Sequence, residues 1–201
     1  MGEKRQARQG ADVLLQEEPL RFQTRKQVGL LGGNFNPVHL AHLVMADQVQ
    51  NQLGLDKVYL MPTYLPPHVD EKKTISSEHR LAMLELAVAD NPCLDIEPIE
   101  LIRKGKSYTY DTMKALKEAN PDTDYYFIIG GDMVEYLPKW HRIDDLLHLV
   151  QFVGIRRPNY PTESTYPIIW VDVPQMAISS TLIRQKVKSG CSIRYLLPEN
   201  V

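Results

Sequence analysis

Apolar and polar positions recur along this chain in two different periods, and the switches between them mark out its elements. Val28 to Leu31 is an unbroken apolar run, the mark of a buried strand, and predicts β structure over 27–31. Leu43, Val44, Val49 and Leu53 follow as an apolar-periodic segment that stops at Gly54, which predicts a helix over 37–53. The same reading gives strands at 57–61, 94–98, 124–129, 151–155 and 168–173. It gives helices at 77–90 with Ser76 or Ser77 as cap, at 109–119, at 144–149, and at 180–188 closed by Gly190. Strands separated by helices of this length predict an α/β fold, a doubly wound parallel sheet with helices on both faces and right-handed crossovers. Such sheets bind their ligands beyond the carboxyl ends of the strands.

Residues 1–26 break the pattern. They are polar and charged apart from Val13, Leu14, Leu15, Leu20 and Phe22, and read as an N-terminal extension, a loose arm or a short helix lying on a single domain over 27–201. Two irregular stretches, 62–75 and 157–167, are long enough to read as binding loops or lids.

The chemistry gathers where strands end. After the first strand comes Gly32-Gly33-Asn34-Phe35-Asn36-Pro37-Val38-His39-Leu40-Ala41-His42. The two glycines let a ligand approach the backbone closely. Asn36 stands where an N-cap is expected and Pro37 at the first helical position, so the helix start is expected to offer free N–H groups and a positive dipole end to a phosphate. His39 and His42, three apart, project from one face of that first turn. A nucleotide loop of the Walker type is excluded because no Gly-Lys-Ser/Thr follows, and the three glycines of the dinucleotide fingerprint are missing.

A second glycine turn, Gly130-Gly131-Asp132, follows the strand at 124–129; its carboxylate either accepts ribose hydroxyls or caps a helix. Near the C-terminus, Ile178-Ser179-Ser180-Thr181-Leu182-Ile183-Arg184 is either a set of caps or a clamp in which N–H, hydroxyl and guanidinium hold a polyphosphate. Trp140, flanked by Pro138, Lys139, His141 and Arg142, reads as core or as a platform for a flat ring. The stretch Glu100 to Thr112 is a turn entering a helix with spare N–H donors near Tyr108 and Thr109, or with simple capping by Ser107 or Thr109. His68, in Pro66-Pro67-His68, sits on the long loop within reach of a substrate, whereas His79 and His148 read as structural.

Composition narrows the setting. The 201 residues carry 23 Lys and Arg against 25 Asp and Glu, a formal charge of −2 that calls for neither nucleic acid nor a membrane as partner. No apolar run spans a bilayer and the charged N-terminus leads into no signal sequence, which points to the cytoplasm. Cys93 and Cys191 form no Cys-x-x-Cys pair, and no residues are assigned to a metal.

With these residues in hand, His39-Leu40-Ala41-His42 resembles the His-x-Gly-His phosphate motif of the nucleotidylyltransferase superfamily, with Ala41 in place of the usual glycine. Taken with Pro66-Pro67-His68, Ser107-Tyr108-Thr109-Tyr110-Asp111-Thr112, Ile128 to Asp132, Lys139-Trp140 and Ile178 to Arg184, the chain is similar to the bacterial nicotinate mononucleotide adenylyltransferases from about Gln27 onward. The resemblance implies a Rossmann-like fold and adenylyl transfer from ATP to nicotinate mononucleotide, giving deamido-NAD and pyrophosphate with Mg²⁺ as cofactor. It implies His39, His42 and Arg184 as catalytic groups. Gly32, Gly33, Asn34, Phe35, Gly130, Asp132, Ile178, Ser179 and Ser180 would bind ATP, and Trp140, Tyr108, Thr109 and His68 the acceptor. Two further departures are Val69, where the family commonly has Lys, with Lys72 and Lys73 nearby, and an end at Val201 where relatives continue into a final helix. A homo-oligomer is an open expectation. Two rivals are an adenylyltransferase for another phosphate such as phosphopantetheine, which lacks the flat ring that Trp140 suits, and a nucleotide-binding module without turnover.

Overall fold

The computed structural model describes residues 25–65, 74–157 and 163–201. His68, Val69, Lys72, Lys73 and all of the N-terminal extension except Arg25 and Lys26 lie outside the described residues. Six strands, β1 (Lys26–Gly33), β2 (Lys57–Pro62), β3 (Leu94–Ile96), β4 (Thr123–Gly130), β5 (Val150–Ile155) and β6 (Ile168–Val171), form one sheet. Its order is β3-β2-β1-β4-β5-β6 and every pairing is parallel. The helices are α1 (Leu40–Leu53), α2 (Ser77–Val88), α3 (Ile99–Arg103), α4 (Thr109–Ala119), α5 (Gly131–Val134), α6 (Ile143–Leu146) and α7 (Ser180–Lys188), with a 3-10 turn at Leu137–Lys139. None of the described helices is long and apolar enough to cross a membrane.

Strand alternation sorts the core into two layers. Val28, Leu30, Phe127, Ile129 and Phe152 face Tyr110, Met113 and Leu116 of α4. Leu31, Leu60, Ile128 and Val153 face Ala46 and Val49 of α1 and Leu84 of α2. The doubly wound arrangement expected from the apolar pattern is therefore the one observed.

The strand order changes direction between β1 and β4, outward to β2 and β3 on one side and to β5 and β6 on the other, and the register brings the strand ends level there. Gly33 pairs with Pro62, while Leu31 pairs with Ile128 and Gly130 with Ile155, so the carboxyl ends of β2, β1, β4 and β5 form one row. That row is the topological switch point, where open α/β sheets take their ligands.

Three local readings change. The first helix begins at Leu40, three residues later than expected, with His39 rather than Asn36 at the N-cap. The reason is packing: the turn takes Phe35, at φ 46°, and Val38 into the core, so the backbone becomes helical only afterwards. β3 is shorter than expected, and α3 follows it within residues whose five-residue helical span is too short to show a period. The helical segments at α5 and 137–139 are also too brief to be read from pattern.

Candidate active site

At the end of β1 the glycine turn holds its two histidines in fixed register. Their rings stack with centroids 3.7 Å apart and planes at 23°, and the edge of Phe35 meets His42 at 4.9 Å. The backbone N–H of His39 donates to His42 Nδ1 at 3.3 Å, which leaves Nε2 to carry the proton of the neutral ring and to act as a donor. His39 is only 4% exposed and its Nδ1 has no partner among the described residues. Burial pushes His39 down to about 4; burial, then the neighbouring His39 and Arg157, push His42 down to about 3. Near neutral pH the pair therefore works as neutral hydrogen-bonding groups, and positive charge comes from elsewhere.

Arginines supply it. Arg184 of α7 donates through Nη1 to the Asn36 carbonyl and through Nη2 to Thr181 Oγ1. Ser180 Oγ donates to the Pro37 carbonyl at 2.8 Å, and Ser179, the N-cap of α7, accepts from the Leu182 N–H. The C-terminal motif thus sits against the first glycine turn, with Ile178 just ahead of its helix. The capping role weighed for its hydroxyls is realised at Ser179. The expectation of several free N–H groups at the start of α1 is revised: the Leu40 N–H goes to the Leu196 carbonyl and that of His39 to His42, because the chain's last segment folds back over the helix start.

Across the switch point, Gly130 takes the N-cap position of α5, so Asp132 is not the cap. Its Oδ1 lies 3.2 Å from Arg157 Nη1, a half-exposed pair spanning the ends of β4 and β5. A Cβ at Gly131 would stand 2.8 Å from the Ile155 carbonyl, and one at Gly33 would stand 2.9 Å from the Phe35 ring; both turns are glycine because backbone and ring leave no room for a side chain.

Sequence reading passed over two residues here. Arg157 stands two residues past the end of β5, and its place beyond a strand's carboxyl end is the signal that could have found it. Arg80 is 2% exposed on α2 and its Nη1 donates to the carbonyls of Asn34 and Thr63, tying the exits of β1 and β2 together. It stands four positions before Leu84, on the buried stripe of the helix, where an arginine is conspicuous. The Asn34 side chain itself donates to Thr74 Oγ1.

The remaining candidates form a separate group. Trp140 is half-buried, its ring edge-on to Phe127 and Phe152 with centroids 5.8 Å from each, so it packs against the core and keeps part of its surface outside it. Tyr108 is the N-cap of α4 and no side chain caps that helix; Ser107 instead accepts from the Tyr64 N–H. The simple capping weighed for Ser107 or Thr109 is thus not what holds this end. The ring of Tyr108 lies against His141, 4.7 Å between centroids, and Arg142 covers the Tyr110 ring at 4.0 Å.

Comparison with known proteins adds relatives to this geometry. The family model described as cytidylyltransferase-like matches residues 30–186. The chain is 63% identical over 185 residues to a Streptococcus pneumoniae protein named "Probable nicotinate-nucleotide adenylyltransferase", spanning 92% of this chain and 88% of that one. It is 62% identical to the protein of the same name from Lactococcus lactis, spanning 88% and 91%. Among solved structures, the Plasmodium falciparum nicotinic acid mononucleotide adenylyltransferase complexed with NaAD superposes with a TM-score of 0.70 at 19% identity, over 84% of this chain and 87% of that one. That likeness is one of fold.

Proposed function

The chain belongs to the cytidylyltransferase-like family and, within it, to the nicotinate-nucleotide adenylyltransferases; from that premise we infer that it transfers the adenylyl group of ATP to nicotinate mononucleotide, releasing pyrophosphate. The observation that supports the reading best is the stacked His39–His42 pair braced by α7 at the switch point of the sheet. A phosphate oxygen of the mononucleotide attacks the α-phosphorus of ATP. The bond from that phosphorus to its bridging oxygen breaks, and the electron pair leaves with pyrophosphate. The acceptor phosphate is already a nucleophile, so what the protein adds is position and charge.

In this reading His39 and His42 donate hydrogen bonds to the phosphates, Arg184 and the Ser179–Ser180 helix start hold the leaving end, and Asp132 accepts from the ribose. Gly32, Gly33, Asn34, Phe35, Gly130 and Ile178 shape the nucleotide's seat. Thr109 offers its backbone N–H to the nicotinate carboxylate from beside Tyr108, whose own N–H already donates to the Lys106 carbonyl at 3.2 Å, Trp140 lies on the pyridine ring, and His68 comes from the long loop. Among the described residues no three His, Cys, Asp or Glu side chains converge; in this reading Mg²⁺ would arrive with the phosphates of ATP. Bound there it offsets charge on the transferring and leaving phosphates. The reading extends to the cytoplasm as place of action, with two small nucleotides as partners and neither nucleic acid nor membrane.

The test is pyrophosphate release from Mg-ATP with nicotinate mononucleotide, nicotinamide mononucleotide and phosphopantetheine offered separately. Release strongly preferring the nicotinate compound is expected. Release only with phosphopantetheine would overturn the acceptor, and release with none would overturn the activity.

A further inference from the structure

One buried carboxyl takes no part in the chemistry above. Glu100, on α3, is 4% exposed, and the Thr112 hydroxyl donates to its Oε1 at 3.0 Å. Arg103 Nη1 donates to Thr112 Oγ1 at 3.1 Å, so the hydroxyl is gripped from both sides. Burial pushes the Glu100 carboxyl up, while the Ser107 and Thr112 hydroxyls turned toward it and the Arg103 charge pull it back down. Burial prevails and holds the carboxyl above its ordinary range, with the Thr112 hydroxyl as its hydrogen-bonding partner.

What these contacts join is specific. Ser107 and Thr112 bracket Tyr108 and Thr109, the two residues at the uncapped start of α4. Ser107 also accepts from the Tyr64 N–H through Oγ, and its own N–H donates to the Leu65 carbonyl. Ser107 therefore ties the start of α4 to the chain leaving β2, and the Glu100–Thr112 bond holds the first turn of the same helix. None of these contacts involves the glycine turn at 32–42 or α7.

We propose that Glu100 is a positioning residue for the acceptor: by holding the Thr112 hydroxyl it sets Tyr108 and Thr109, at the start of the same helix, at the angle that meets the nicotinate group, and it acts on that substrate and not on ATP. The inference rests on the acceptor reading given above. A helix start shifts when a hydroxyl in its first turn loses its buried partner, and a small displacement of a binding group weakens binding.

The experiment is steady-state kinetics with each substrate varied, on the wild type, Glu100→Ala, Glu100→Gln and Leu116→Ala, each with its melting temperature. Leu116→Ala opens a cavity in α4 away from the carboxyl and reports what mere loosening of that helix does. Expected is a rise in KM for nicotinate mononucleotide of about tenfold in Glu100→Ala, with KM for ATP within about twofold of wild type. Glu100→Gln, which keeps one acceptor oxygen, should fall between, and Leu116→Ala should leave the ratio of the two KM values unchanged. Should Glu100→Ala not fold, Thr112→Val removes the same bond at constant volume and carries the same expectation. Both KM values rising together, only kcat falling, or Leu116→Ala reproducing the effect would each overturn the proposal while leaving the activity in place. A wild type with no nicotinate-dependent release would instead overturn the acceptor reading and this proposal with it.

Discussion

The two sides of the switch point are built in opposite ways. On the phosphate side, contacts cross the whole chain: Ser180 reaches back to Pro37 and Arg184 to Asn36, 143 and 148 residues away, and Arg80 binds two strand exits at once. On the acceptor side the ties span less of the chain, from Glu100 to Thr112 across 12 residues to Ser107 and Tyr64 across 43, with Tyr108 against His141, and several of the groups stand partly in solvent. Groups that stabilise developing charge act without reorganising, which asks for a frame fixed from many directions. A surface that selects one flat ring needs only local shape. In the function proposed above, the frame serves transfer and the acceptor surface serves choice.

Breaking the phosphate side should cost the most. His42→Ala removes a preorganised donor, and kcat is expected to fall about a hundredfold while KM for the acceptor stays near wild type. Single-turnover measurements check this, and unchanged turnover would remove His42 from its role. On the acceptor side, Trp140→Ala should raise KM for nicotinate mononucleotide about tenfold, the scale of a lost stacking surface, with KM for ATP little altered. Equal effects on both substrates would mean that Trp140 matters chiefly as core against Phe127 and Phe152.

The smallest effect separates the sides by pH. His39 and His42 titrate lower in the fold than in the unfolded chain, whose histidines lie near 6.5. Below that value the unfolded state binds more protons than the native one, so stability falls as pH drops from about 6.5 toward 4. The melting temperature should decrease over that range, and His39→Asn should flatten the decline. A wild-type melting temperature constant between pH 7 and 5 would contradict the burial of the pair.

Sequence reading reached the two sides unequally. For the phosphate side it found the glycine turn, both histidines and Arg184, because glycine and histidine after a buried strand have few other uses. It missed what those residues hold. No pattern within 180–184 says that Ser180 bonds the Pro37 carbonyl, and the shift of α1 to Leu40 follows from Phe35 and Val38 turning inward, a tertiary preference that overrides the N-cap signal of Asn36. For the acceptor side the bounds of α4 were legible to the residue, yet α3 and its buried carboxyl were not. A glutamate in an exposed-looking sequence gives no sign that Ser107 and Thr112 will close around it.

The tie between α7 and the first glycine turn also bears on how the protein is made. Residues 32–42 leave the ribosome early, with the sheet and helices of the middle still unwritten. Their partners at 180 and 184 are translated 143 and 148 residues after the carbonyls they bind. A nascent chain thus holds its histidines long before it holds the residues that brace the turn carrying them.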